Sequence, residues 1–103
     1  MNTDFKPYYA VIFTSTQNEN IDGYSEMSEK MEALAKQQKG FLGIDSAREH
    51  VGITVSYWGN LEAIKSWKQQ SDHLAAQLKG RQDWYCWYNV RVCKVEREYE
   101  FHS

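Results

Sequence analysis

The sequence predicts a single α+β domain over residues 1–103, with its elements in the order strand, helix, strand, strand, helix, strand. Segments with apolar residues at every second position alternate with segments whose apolar residues recur every three or four positions. Glycines separate these segments, and no linker, repeat or low-complexity run divides the chain. With right-handed connections, this order gives a ferredoxin-like βαββαβ sandwich of four strands with both helices on one face.

The first strand and helix have clear patterns. The strand is predicted from Tyr8 to Thr14, and because both of its faces are apolar, both should be covered. The helix is predicted to begin after the N-cap Asp22 and to be closed by Gly40. Its apolar stripe consists of Tyr24, Met27, Met31, Leu34 and Ala35. We interpret this stripe as core rather than as a cofactor site.

The middle of the chain predicts a hairpin and a second helix. The second strand is predicted over Phe41–Arg48 and the third over 53–58, joined by a turn at 49–52. The second helix is predicted to begin near Leu61 and to turn Ile64 and Trp67 inward. Polar residues at 69–71 predict a break, after which a further helical piece, capped by Ser71 or Asp72, should end near Gly80.

The last segment, residues 84–101, is predicted to form one very long strand whose apolar face changes near Val92 and Cys93. Such a change indicates a bulge, or a strand that continues against a different surface. Because strands longer than about ten residues are uncommon in small sheets, we expect this segment to be exchanged between two copies. The second copy would also cover the open face of the sheet, giving a dimeric α+β barrel.

Charge and composition exclude several classes of function. The net charge is −2, and 12 Lys and Arg residues are interleaved with 14 Asp and Glu residues, so no nucleic acid partner is expected. There is no apolar run of about 18 residues and no leader, so we expect a cytoplasmic protein without membrane contacts. Cys86 and Cys93 would lie about 23 Å apart on one strand and cannot pair. No metal site is expected.

Aromatic residues supply the candidate binding site. Seven aromatic residues could together line an apolar cavity between the helices and the sheet, which would suit a flat aromatic ligand: Tyr57, Trp58, Trp67, Trp84, Tyr85, Trp87 and Tyr88. The alternative is that these rings form the core of a small domain, and composition alone favours it.

His73 is the candidate base. It lies six residues after Trp67, beyond the expected break, so both side chains could face one cavity. A neutral imidazole there could accept a proton from a phenolic hydroxyl. An exposed histidine in a capping turn fits the spacing equally well. Arg48, Arg91 and Arg97 could anchor an acidic group, although surface salt bridges are the favoured interpretation.

Four short stretches and Trp67 carry a family resemblance. Residues 55–58, Val-Ser-Tyr-Trp, are followed by Leu-Glu-Ala-Ile at 61–64 and by Trp67. Together with Gly-Phe-Leu-Gly at 40–43 and His-Leu-Ala-Ala at 73–76, this order resembles the antibiotic biosynthesis monooxygenase (ABM) domain family. The resemblance implies a dimeric α+β barrel. It also implies either oxygenation of phenolic or quinol-like aromatics with O₂ and no metal or flavin, or the binding and degradation of haem.

The resemblance assigns Trp67 to the helix tryptophan of both branches. The haem-degrading branch has an iron-ligating histidine ten residues later, where this sequence has Gln77, and an asparagine on the first strand, where this sequence has none. No cofactor is therefore expected, and haem is the weaker alternative. In the quinol-forming branch a tyrosine stands at the position of His73 and an asparagine at the position of Ala63.

Two hypotheses from different classes result. In the first, the protein is a cofactor-independent monooxygenase: a phenolic substrate bound among Tyr57, Trp58, Trp67 and Trp84 loses a proton to His73, and the anion reduces O₂. In the second, a non-catalytic module sequesters a small aromatic compound in the same pocket. RNA binding, which the same element order allows, is disfavoured by the acidic charge balance.

Overall fold

A computed structural model describes residues 5–78 and 84–103 and confirms the predicted class. The elements are β1 (Tyr8–Gln17), α1 (Tyr24–Lys36), β2 (Phe41–Arg48), β3 (Gly52–Trp58), α2 (Leu61–Gln77) and β4 (Tyr85–Val95). The strands form one antiparallel sheet in the order β2-β3-β1-β4. This is the ferredoxin-like arrangement that the element order predicts.

The strand register divides the sheet into two faces. Trp58 of β3 pairs with Tyr9 of β1, and both pack with the two helices in the core. We call this face the helix side. Because successive side chains of a strand point to opposite faces, Tyr57 lies on the other face, which we call the open side. The core consists of Val11, Ala35, Trp58, Ala63 and Ile64, with Tyr9, Phe41 and Trp67 packed against it.

The start of α1 differs from the prediction. The N-cap is Gly23 rather than Asp22, and no side chain caps the helix. Gly23 has a φ of +85°, and a Cβ there would lie 3.4 Å from Cζ2 of Trp84. The carbonyl of Asp22 accepts a hydrogen bond of 2.8 Å from Trp84 Nε1. Packing of a tryptophan from the far end of the chain thus decides how α1 begins.

The end of α1 is followed by a close approach to α2. The helix ends at Lys36, four residues before Gly40, which adopts the expected left-handed conformation with a φ of +88°. A Cβ at Gly40 would lie 2.7 Å from the Cβ of Ala63. Gly40 therefore matters mainly because it allows the start of β2 to approach α2 closely, rather than because it ends α1.

The break predicted in the second helix is wrong, because α2 is one helix of 17 residues. Asn60 caps it, accepting a hydrogen bond of 2.8 Å from the backbone N–H of Ala63. Ser71 is buried inside the helix and donates to the carbonyl of Lys68 at 3.1 Å rather than acting as a cap. Lys68 also forms an ion pair with Asp72 at 2.7 Å. The predicted closing residue, Gly80, lies outside the described residues.

The final strand is shorter than predicted. β4 ends at Val95, and residues 96–103 belong to neither helix nor strand. The register shifts where Thr16 pairs with Trp87 and Gln17 with Tyr85, so Cys86 is the extra residue of a bulge. The bulge therefore lies at the start of β4 and not near Val92, as the sequence suggested. None of the helices in the described part of the chain has the length and hydropathy of a membrane span.

Candidate functional site

A pair of stacked tryptophans lies at one end of the helix side. Trp67 of α2 stacks on Trp58 of β3, with ring centroids 5.8 Å apart and planes 26° from parallel. Trp58 is fully buried, its Nε1 donates to Ser56 Oγ at 2.8 Å, and Phe41 packs edge-on against it. Trp67 is only partly buried. Trp58 is therefore a core residue that orients Trp67, and Trp67 is the ring of the pair that has surface left for a ligand.

An exposed apolar strip continues the helix side beyond this pair. On β4, Val92 pairs with Val11 of the core, Val90 with Phe13, and Tyr88 with Ser15. Val92, Val90 and Tyr88 are exposed by 51%, 49% and 42%. We call these three residues the β4 shelf. Because neighbouring strands lie about 4.8 Å apart, the shelf begins one strand away from the core against which Trp67 packs, and it offers a flat apolar surface there.

Two polar residues that the sequence did not single out adjoin the shelf. Tyr9 packs against the same core as Trp67 and pairs with Lys94 of β4. Both side chains belong to the helix side, since paired residues of antiparallel strands share a face. They supply a phenol and an ammonium group next to the shelf. The alternation along β1 indicated the face of Tyr9, but the position of Lys94 depends on a register that the sequence does not show.

Trp84 lies at the opposite end of the sheet. Its carbonyl accepts a hydrogen bond of 2.8 Å from the backbone N–H of Asn18, whereas Trp58 pairs with Tyr9. Nine residues of extended chain separate these two points of β1 by roughly 30 Å. Trp84 is buried against Tyr24, edge-on at 6.3 Å. The structure does not bring Trp84 and Trp67 into one cavity of a single subunit, so that part of the expectation is wrong.

Tyr57 lies on the open side of the sheet, away from Trp67. Its hydroxyl donates to Asp45 Oδ2 at 2.9 Å, and its ring packs edge-on against Tyr8 at 6.1 Å. Tyr8 in turn donates to Glu98 Oε2 at 2.8 Å. These hydrogen bonds to carboxylates raise the pKa of both phenols, and partial burial and the carboxylate charges act in the same direction. Tyr57 and Trp67 therefore cannot contact one small ligand within one subunit.

His73 does not face Trp67. Because α2 is continuous, six positions turn the imidazole about 120° around the helix axis from Trp67. The side chain is exposed, and its Nε2 lies 3.3 Å from Nε2 of Gln77. The role of His73 as a base stays a prediction, without the geometry that was expected to support it.

The position that would ligate haem iron carries a poor donor. Gln77 offers a neutral carboxamide, and that group is engaged with His73. Imidazole and thiolate are the protein groups that hold haem iron most commonly. The residues present on α2 therefore do not fit the haem-binding arrangement. Within residues 5–78 and 84–103, no three His, Cys, Asp or Glu side chains are grouped so as to hold a metal ion.

Comparisons with known proteins agree with this fold. The family described as antibiotic biosynthesis monooxygenase matches residues 7–79. The protein YqjZ of Bacillus subtilis (strain 168) is 53% identical over 99 residues, which cover 94% of this chain and 87% of YqjZ.

Solved structures with low sequence identity share the fold. A mutant of SnoaB from Streptomyces nogalater, described as a cofactor-independent oxygenase, superposes with a TM-score of 0.72 at 13% identity, covering 88% of this chain and 95% of the SnoaB chain. Rv0793 from Mycobacterium tuberculosis superposes with a TM-score of 0.68 at 13% identity, covering 92% of this chain and 98% of Rv0793. Because the family match spans most of the chain, the protein belongs to the antibiotic biosynthesis monooxygenase family.

Proposed function

We propose that this protein is a cofactor-independent monooxygenase that uses O₂ to oxidise a small phenolic or quinol-like aromatic. The observation that carries the proposal is the partly exposed ring of Trp67, held by its stack on Trp58. The apolar β4 shelf lies on the same side of the sheet, two strands away from β3. Membership of the family supports the proposal. So does the likeness in fold to SnoaB, which is described as a cofactor-independent oxygenase.

The substrate would lie flat on the shelf with one edge or face against Trp67. Val90 and Val92 present apolar surface, and an aromatic contact with Trp67 adds about 0.5–1.5 kcal/mol beyond the burial of area. Trp58 is fully buried and hydrogen-bonded, so Trp67 rests on a ring that is fixed in place. This arrangement orients a planar substrate before O₂ arrives.

The chemistry needs a deprotonated phenol and no external reductant. The Lys94 ammonium favours the phenolate because opposite charge stabilises the ionised form, and Tyr9 can donate a hydrogen bond to the phenolate oxygen. The electron-rich ring forms a carbon–oxygen bond to O₂ at its unsubstituted para position. Loss of water from the resulting hydroperoxide leaves a quinone. One oxygen atom of O₂ enters the quinone, the other leaves as water, and the substrate supplies all the electrons.

The proton of the phenol goes to solvent in this proposal. The shelf is exposed, so water can reach the hydroxyl of a bound phenol. His73, which the sequence predicts as the proton acceptor, points elsewhere on α2. Lys94 and Tyr9 therefore replace it as the polar residues next to the substrate.

The protein would work as a cytoplasmic homodimer. The C-terminal residues Tyr99 and Phe101 are exposed by 81% and 86%, and Ile53 on the open side by 46%. Large apolar side chains left in solvent to this degree are typical of surfaces that a partner covers. A second copy lying on the open side would cover them, as the sequence predicts. Sedimentation equilibrium should give twice the monomer mass of 12.1 kDa.

Oxygen uptake tests the proposal. With 1-naphthol and a panel of phenols that are unsubstituted at the para position, we expect uptake by the purified protein without added flavin, metal or nicotinamide. Trp67→Phe should reduce the rate about tenfold or more, since misplacement of a bound substrate is costly. Trp87→Phe is the matched control, because Trp87 lies on the open side near the other end of β1. Equal loss in both variants, or none in Trp67→Phe, would remove Trp67 from the site.

The second candidate is a binding module that sequesters a small aromatic compound. The exposed position of His73, away from Trp67, favours it, because the expected base is missing from the site. Quenching of tryptophan fluorescence by 1-naphthol, with no oxygen consumed, would support this candidate. A titration with haem in the same buffer completes the comparison: a Soret band typical of ligated iron would contradict both candidates.

A further inference from the structure

We propose that the far end of the helix side is a second binding site, in which Arg48 takes the carboxylate of an aromatic acid. The inference does not depend on the proposed oxygenase function, although Tyr88, its stacking surface, is also the last residue of the β4 shelf. Ser15, which Arg48 contacts, is six residues of extended strand from Tyr9, the partner of Trp58. Arg48 and the stacked pair of Trp58 and Trp67 are thus roughly 20 Å apart.

Small residues form a trough for the arginine side chain. Arg48 of β2 pairs with Gly52 of β3, Gly52 pairs with Ser15 of β1, and Ser15 pairs with Tyr88 of β4. These four residues make one row across the helix side. Gly52 and Ser15 are buried, and a Cβ at Gly52 would overlap the guanidinium group of Arg48. The row therefore lets Arg48 lie across the sheet toward β4.

The guanidinium group is held without being neutralised. Its Nη2 donates to Ser15 Oγ, and its Nη1 donates to the Ser15 carbonyl at 3.5 Å. Its central carbon, Cζ, lies 5.7 Å from the centroid of the Tyr24 ring. Among residues 5–78 and 84–103, the structure pairs Arg48 with no carboxylate, so the predicted salt bridge is not seen there. A guanidinium group has more N–H donors than these contacts use, in a fork that fits a carboxylate.

A cluster of aromatic rings adjoins Tyr24, the ring that this cation contacts. Phe13 and Tyr88 stack with centroids 5.3 Å apart, and Tyr85 packs edge-on against Phe13 at 5.4 Å and against Tyr24 at 5.9 Å. Tyr88 remains 42% exposed and is one strand away from Ser15. A ligand ring lying on Tyr88 would place a carboxylate within reach of Arg48. The combination of a stacking surface and a fixed guanidinium specifies an aromatic anion.

Nearby charges argue against a simple inorganic anion. One feature favours any anion: the first turn of α1 points its N–H groups toward this end, and Gly23 leaves them without a side-chain cap. The acidic residues nearby oppose it. Asp22 and Glu49, adjacent in sequence to the site, are acidic and exposed, and Glu26 is paired with Lys30 at 3.1 Å. These carboxylates weaken binding that depends on charge alone. Phosphate should therefore bind weakly, and the aromatic ring should be required.

Calorimetric titration tests the site with 2-naphthoate, and with 2-naphthamide as its neutral counterpart. We expect 2-naphthoate to bind at least about tenfold more tightly, the effect of a charge-assisted hydrogen bond. Arg48→Gln should abolish the difference. Arg91→Gln, which removes the same charge from the open side, should leave it unchanged. Inorganic phosphate should not compete.

Arginine side-chain NMR gives a readout in the unmodified protein. The Nε–Hε signal of Arg48 should shift on addition of 2-naphthoate, and that of Arg91 should not. Equal affinity for the two probes, discrimination that persists in Arg48→Gln, or an unmoved Arg48 signal would each overturn the proposal. Because the NMR measurement needs no substitution, it holds even if Arg48→Gln fails to fold.

Discussion

Trp67 stacks on Trp58 with ring centroids 5.8 Å apart and planes 26° from parallel. This contact joins a ring that is wholly inside the core to a ring that is partly outside it. Trp58 on β3 therefore holds the Trp67 ring in place, and Trp67 on α2 provides the surface at which a ligand can bind. The two tryptophans are expected to respond differently to substitution.

Replacing Trp58 should mainly cost stability. Trp58→Ala leaves a cavity in the core and should lower the free energy of unfolding by about 3–5 kcal/mol. Urea denaturation followed by circular dichroism measures this. The control is Trp87→Ala, at a position 49% exposed, for which we expect a loss below about 1 kcal/mol. Similar losses in the two variants would contradict the core role of Trp58.

Replacing Gly40 should also be costly. Gly40→Ala forces a side chain into a left-handed conformation and against Ala63, so we expect a loss of about 2–4 kcal/mol. The control is Gly43→Ala, whose Cβ would make an ordinary contact of 3.7 Å with Tyr57. Combining Gly40→Ala with Ala63→Gly should restore the part of the lost stability that is due to overlap of the two Cβ atoms. The cost of the left-handed backbone at residue 40 should remain. No recovery in the double variant would show that the overlap with Ala63 is unimportant.

The phenols of Tyr8 and Tyr57 should make stability depend on alkaline pH. Their hydrogen bonds to Glu98 and Asp45 raise both pKa values above the usual 10.0. The neutral phenol is therefore favoured in the folded protein. The stabilisation of the fold by these two hydrogen-bonded phenols is fully present below pH 10, and it is lost as the pH rises through their raised pKa values.

Absorbance at alkaline pH can follow this titration. Asp45→Asn should return the pKa of Tyr57 toward its usual value while leaving that of Tyr8 raised by Glu98. Tyr57→Phe should remove one late-titrating phenol and make the loss of stability above pH 10 less steep. Late titration that persists undiminished in the double variant Tyr8→Phe, Tyr57→Phe would show that other phenols are responsible.

Substitution of His73 separates two mechanisms. If the imidazole were the base, His73→Ala should reduce turnover by about 10²–10⁴-fold and alter the pH profile. The exposed position of His73 on a continuous α2 leads us to expect a change below about threefold. Oxygen uptake from pH 6 to 9 measures the turnover and the pH profile of His73→Ala, and Lys94→Gln is the comparison. Lys94→Gln should shift the profile toward higher pH, since the phenolate loses a stabilising charge.

The element order was predictable because local patterns encode it. Alternation in β1 and β3 and the apolar stripe of α1 depend on neighbouring residues, and all three elements form. Their bounds were less predictable, since β1 continues past Thr14 to Gln17 and α1 is capped by Gly23 rather than Asp22. The nearness of Trp58 and Trp67 was also foreseeable, since a tight turn joins their strand and helix. The break in α2 was not, because Ser71 and the Lys68–Asp72 pair supply compensating contacts within the helix.

The composition of the site was only partly predictable. Trp84, Tyr57 and Lys94 are placed by pairing between strands that are distant in sequence, and a pattern along one strand does not reveal its register. The bulge at Cys86 adds to this difficulty because it brings Tyr85 and Tyr88 to the same side of β4. For Arg48, the sequence favoured a surface salt bridge. The row of small residues beside it results from strand pairing, which the sequence does not show.

The proposed reaction inserts one oxygen atom of O₂ into a phenol without a cofactor. Turnover of 1-naphthol under ¹⁸O₂, in metal-chelating buffer without flavin or nicotinamide, is the decisive test. We expect 1,4-naphthoquinone with one ¹⁸O atom, one O₂ consumed per quinone, and a rate about tenfold or more lower in Trp67→Phe. Binding of the phenol without any labelled quinone from the panel, or a label derived from water, would contradict the proposed reaction.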